Sequence, residues 1–163
     1  MDLKDFFTIS GKPGLYKFIS KGRNNVMIVE HLEDKKRTTA FASEKISSLN
    51  DIVVFTEKED MALKDVFKTI HEKENASASI SHKSSGNELK NYFEKIIPSY
   101  DRNRVYVSDI KKVVYWYNIL QKLGLMDFSE DKDEKDEKDP EEQDEKQNKS
   151  KDKKPEKGKK KTT

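Results

Sequence analysis

The sequence predicts an α+β protein: a small N-terminal β-rich part, a three-helix C-terminal part and a charged tail. Three observations lead there. Over residues 7–56, aromatic and β-branched residues concentrate in short runs separated by turn residues. Between Asp60 and Leu123, apolar residues recur three times at i, i+3, i+4 and i+7, the spacing of one helix face. Beyond Met126 the only apolar residue is Phe128, so the foldable part of the 163-residue chain ends there.

The β-rich part is assigned to residues 1–57. Residues 15–20 and 26–32 read as two strands, and 21–25 between them carry turn chemistry, which makes a hairpin. Residues 33–36 are a second polar turn, and 37–41, with Thr38 and Thr39, a third strand. Residues 10–14 read as a tight turn, with Pro13 setting its φ and Gly14 supplying a positive φ. Residues 43–51 read as a turn-rich connection with room for one helical turn, and 52–55 as a short apolar strand. Many short strands leave many edges, and closure hides edges. The expected form is therefore an SH3-like β-barrel or a strongly bent sheet.

The helical part is assigned to residues 58–126. Leu63, Val66, Phe67 and Ile70 make the first stripe, with Asp60 as the expected N-cap. Leu89, Tyr92, Phe93, Ile96 and Ile97 make the second; Ser85 and Glu88 fit a capping box and Pro98 ends it. Ile110, Val113, Val114, Tyr117 and Leu120 make the third, widened by Trp116 and Leu123. Its expected N-cap is Ser108 and its stop Gly124. The Ser-rich stretch 74–85 reads as a mobile loop. Tyr115, Trp116 and Tyr117 span about 200° of a helix, so Tyr115 is expected to be partly exposed.

Charge divides the chain further. Residues 1–126 carry +4, residues 127–145 carry −9 and residues 146–163 carry +7, which together give the formal +2. The tail, 127–163, has no apolar stripe to offset an ordering cost of roughly 1–2 kcal/mol per residue, so it is expected to be disordered.

Several function classes are excluded or disfavoured. No apolar run approaches the roughly 18–20 residues of a membrane span, and the charged N-terminus lacks the apolar core of a signal peptide. With no cysteine, disulfides, thiol catalysis and cysteine-ligated metals are ruled out. His31, His71 and His82 form no HExxH motif and no i, i+4 pair. Residues 11–14 lack P-loop spacing, and no GxSxG stands anywhere. No catalytic, metal or cofactor residue is assigned; neither an enzyme nor a small-molecule substrate is expected.

Three segments resemble a family of uncharacterised Bacteroidetes proteins known as a domain of unknown function. They are Ile9-Ser10-Gly11-Lys12-Pro13-Gly14-Leu15-Tyr16-Lys17, residues 41–49, and residues 100–102 and 104–113 with Trp116-Tyr117-Asn118. The resemblance covers residues 1–126. It implies a cytoplasmic bacterial protein with an N-terminal β part and a helical C-terminal part, and it transfers no site residue.

The expected function is a non-enzymatic protein-interaction adaptor with an unknown protein partner. Tyr115 is the candidate anchor, since exposed aromatics anchor interfaces. The alternative is a nucleic-acid- or ribosome-associated protein. Lys12, Lys17, Arg23, Lys36 and Arg37 sit on the turns and strand ends of the β part, and Lys111 and Lys112 on the polar side of the third helix. Such cations suit phosphate, Tyr16 or Tyr115 suits stacking on a base, and the lysines of the tail would add to RNA binding.

Overall fold

The computed structural model describes residues 2–41 and 44–128. Five strands form the main sheet: β1 (Phe6–Ile9), β2 (Lys12–Lys21), β3 (Met27–His31), β4 (Arg37–Ala40) and β5 (Ile46–Ser48). Every pair of neighbours is antiparallel, in the order β4-β3-β2-β1-β5. The sheet is not closed into a barrel, because β4 and β5 remain its two edges. A closed SH3-like barrel is thus not formed. The physical reason is that helices cover one face of the sheet, so closure is not needed to hide it.

The β part differs from expectation in three further places. The turn between β1 and β2 is centred on Ser10 and Gly11, with Gly11 at φ +81; Lys12, Pro13 and Gly14 already belong to β2. Gly14 keeps a positive φ (+86) inside the strand, where a Cβ would come 2.1 Å from His31 Nε2. Residues 46–48, read as connection, form β5, and the helical turn expected there is a 3₁₀ turn at Leu49–Asp51. The Asn50 N–H donates to Ser48 Oγ (3.2 Å) at its start. Within the predicted strand 52–55, β6 (Val53–Val54) leaves the main sheet and pairs with β7 (Met61–Ala62).

Three helices follow: α1 (Leu63–Lys73), α2 (Gly86–Ile96) and α3 (Val107–Lys122). Their predicted stripes are buried: Leu63, Val66, Phe67 and Ile70 on α1, Leu89, Phe93 and Ile96 on α2, and Ile110, Val113, Val114, Tyr117 and Leu120 on α3. The Ser85–Glu88 capping box forms as expected. The other two caps shift. Ala62, not Asp60, occupies the N-cap of α1, and Asp60 instead faces Arg104 at 3.6 Å. Tyr106, not Ser108, occupies that of α3, where the Tyr106 N–H donates to Asp109 Oδ2 (3.2 Å). Gly124, at φ +66, ends α3 with the Leu125 N–H donating to Leu120 O.

The stretch 74–85 is laid against α3 rather than loose. The Ser79 N–H donates to Asn118 Oδ1 (2.8 Å), Asn118 Nδ2 donates to Ile80 O, and the Tyr117 hydroxyl donates to Ser77 O.

Strand alternation divides the sheet's apolar residues between two faces. Leu3, Phe6, Leu15, Leu32 and Leu49 join the helix stripes in one continuous core. Ile9, Tyr16, Val29 and Ala40 form a small cluster of their own, with Met27 and Ile46 at its margin. None of the helices among the described residues is long and apolar enough to cross a membrane. The predicted tail lies outside the described residues, apart from Asp127 and Phe128; the Phe128 ring packs on His71 at 5.2 Å.

Candidate functional site: a cleft between the sheet edge and the third helix

A half-open cleft of about 800 Å³ lies where the large core meets the sheet edge. One wall is the β1–β2 turn, with Ser10, Gly11 and Lys12, continued by Lys45 and Ser47 of the β5 segment. The opposite wall is the first half of α3, with Asp109, Lys112, Tyr115 and Trp116. The β6 segment closes a third side through Val53, Val54 and Phe55, next to Arg104.

Each part has a local cause. Residues 52–55 alternate, with Val54 buried and Val53 and Phe55 exposed at 45% and 36%. The Arg104 guanidinium sits 4.3 Å over the Phe55 ring, a cation–π contact. It also bonds Asp101 (2.7 Å) and Thr56 O (3.1 Å), which ties the turn before α3 to the end of β6. The bond from Arg104, with N–H donors of the turn, holds the Asp101 carboxyl below the usual carboxylate range. Lys12 Nζ lies 2.7 Å from Glu44, and this ammonium lowers the Glu44 pKa in the same way.

The cleft gathers three of the predicted surface residues, Lys12, Lys112 and Tyr115. Tyr115 is half-buried, packs on the His82 ring at 4.6 Å and donates its hydroxyl to Glu33 Oε2 (2.8 Å). Burial, then the Glu33 carboxylate, push its pKa up to about 12. Tyr16 is not an exposed stacking platform: only 7% of it is accessible, and its hydroxyl donates to Pro13 O. Strand alternation turns it into the small cluster.

The remaining cations lie apart from the cleft. Lys17 and Arg37 stand in one cross-strand row on either side of Glu30, which Arg37 meets at 3.2 Å. Lys36 pairs with Asp34 at 3.2 Å, whereas inside the cleft Lys112 pairs with Asp109 at 3.4 Å. Arg23 and Lys111 are exposed. Sequence reasoning missed Val53, Phe55, Arg104 and Lys45 as surface residues of one site. Residues 52–55 are all apolar, so only their strand assignment, which sends alternate side chains to opposite faces, was a signal for the first two; nothing local marks the others. Among the described residues, no group of three or more His, Asp or Glu side chains is placed to hold a metal ion.

Two family models match the chain, one after the other. Residues 3–49 match Domain of unknown function (DUF5606), and residues 52–120 match Domain of unknown function (DUF6852). No curated protein matches. The chain is similar to a protein from Bacteroides vulgatus whose structure was solved by NMR in solution. The two are 46% identical, over 78% of this chain and 91% of that one, with a TM-score of 0.65. Both the shared core and this likeness run through the two matched segments, and the chain belongs to this uncharacterised Bacteroidetes family.

Proposed function

We propose that the protein is a non-enzymatic interaction adaptor whose partner protein docks in the cleft. The observation that carries this reading is convergence. The three segments on which the family resemblance rests are far apart in sequence, yet all three supply cleft residues: Ser10 to Gly14, then Lys45 and Ser47, then Arg104, Val105, Asp109, Lys112, Val113 and Trp116. Exposed Val53 and Phe55 beside a nearly buried Trp116 add the mixed apolar surface typical of an interface centre. Association with nucleic acid has less support, since Lys12, Lys36, Arg37 and Lys112 each face a carboxylate and Tyr16 is buried.

The test is affinity purification from the native organism with the full chain and with Val53→Asp, each with and without nuclease. Nuclease-resistant partners that disappear with Val53→Asp, at an unchanged melting temperature, are the expected result. Partners retained by the variant contradict the cleft, and partners lost to nuclease alone favour the nucleic-acid reading.

A further inference from the structure

We infer that the partner protein enters the cleft with an uncharged, bulky apolar side chain as its anchor. This rests on the cleft being the docking site and names the chemistry of what occupies it.

The charges of the cleft are already answered. Four cations line it, Lys12, Lys45, Arg104 and Lys112. Lys12 Nζ lies 2.7 Å from Glu44 and also donates to Thr39 O (3.4 Å). Arg104 bonds Asp101 and Thr56 O, stands 3.6 Å from Asp60 and covers the Phe55 ring. Lys112 lies 3.4 Å from Asp109, which itself lines the cleft. Four carboxylates thus stand against four cations. Lys45, the remaining cation, is exposed to water. A charged group entering the cleft sheds its own water without gaining a desolvated partner in return, because three cations are paired and the fourth is solvated. The charge pattern therefore fits an uncharged occupant.

The apolar lining fits a bulky one. Val54, Val105, Val113 and Trp116 belong to the large core and line the cleft, and exposed Val53 and Phe55 extend this surface outward. At about 800 Å³ the cleft falls within the roughly 300–1,000 Å³ of cavities that enclose small ligands, so it has room for a whole side chain and not merely a methyl group. Apolar side chains seated in such pockets are the usual anchors of interfaces. The chain's own tail does not qualify as the occupant, since residues 129–163 hold no aliphatic or aromatic residue other than proline.

Trp116 is the only tryptophan of the chain and lines the cleft, so its indole N–H gives a single NMR signal that reports occupancy. The full chain is titrated with benzyl alcohol, benzoate and benzylammonium, which share one ring and differ in charge. Saturable displacement of the signal by benzyl alcohol, with both ions binding more weakly by about tenfold or more, is expected. Partners that are lost with Val53→Asp should also stay bound to the unsubstituted chain when NaCl rises to about 1 M, where the screening length is roughly 3 Å. Benzoate or benzylammonium binding as tightly as benzyl alcohol, or release of those partners by salt, overturns the uncharged anchor and leaves the docking reading in place. A dimer of the full chain that is lost with Val53→Asp puts a second copy in the cleft and overturns the partner as occupant. If none of the three compounds binds while Val53→Asp still loses its partners, this inference falls and the docking reading stands; if Val53→Asp keeps them as well, both fall.

Discussion

The two faces of the main sheet feed apolar clusters of very different size. Toward the helices, five sheet-side leucine and phenylalanine residues join a continuous core of 23 buried residues; the small cluster on its own contains four. The difference teaches where stability resides and where it gives way to surface. The cleft lies on the rim of the large core: Val54, Val105, Val113 and Trp116 belong to that core and line the cleft as well. A rigid scaffold therefore backs the candidate site, while Val53 and Phe55 remain open to a partner.

The contrast is broken or sharpened most strongly by truncating one residue of each region. Phe67, fully buried under Tyr117, should cost about 3–5 kcal/mol when changed to Ala. Val29→Ala in the small cluster should cost about 2 kcal/mol. Urea unfolding of both variants checks this; equal losses would erase the difference between the faces.

Asn118→Ala should cost about 1–2 kcal/mol, because it leaves the part-buried Ser79 N–H without its acceptor. Hydrogen exchange should show the loss first at the Ser79 amide. Unchanged protection there would mean that 74–85 is held by something other than α3.

The two glycines beside the cleft give a finer contrast. Gly11→Ala suffers only from its positive φ, since the space around it is open, and should cost roughly 1–2 kcal/mol. Gly14→Ala has the same backbone penalty and meets the His31 ring, so its melting temperature should fall further. The reverse order would contradict the close approach of β2 to His31.

The smallest effect is acidic. Backbone donation from Lys36 first, then the His31 and Lys36 side chains, lower the Asp34 pKa to about 2. A carboxylate depressed in the folded state stabilises above its unfolded pKa of roughly 4. That stabilisation is lost as pH falls toward 2. Asp34→Asn should flatten the stability curve in that window and leave it unchanged in shape near neutrality.

The helices were legible in the sequence because a 3.6-residue stripe is a local signal, and the Ser85–Glu88 box sits within four residues. The N-caps of α1 and α3 were not legible, since Asp60 is drawn to Arg104, 44 residues away, and Asp109 caps from inside the helix. Strand β5 was missed because Ser47 and Ser48 carry little strand preference; its existence depends on pairing with β1. Lys12, Lys112 and Tyr115 were picked out by charge and aromaticity alone. Their meeting in one cleft with Val53 and Phe55 depends on how the β1–β2 turn, the β5 and β6 segments and α3 pack, which no local pattern encodes.

The central claim is that the cleft, rather than another exposed apolar spot, receives the partner. Photo-crosslinking in the native organism tests it most directly, with a photoreactive residue placed at Val53 in one strain and at Phe41, itself 51% exposed, in another. The account predicts discrete adducts from position 53 and none from position 41. Adducts from position 41 alone, or equal adducts from both, would contradict it.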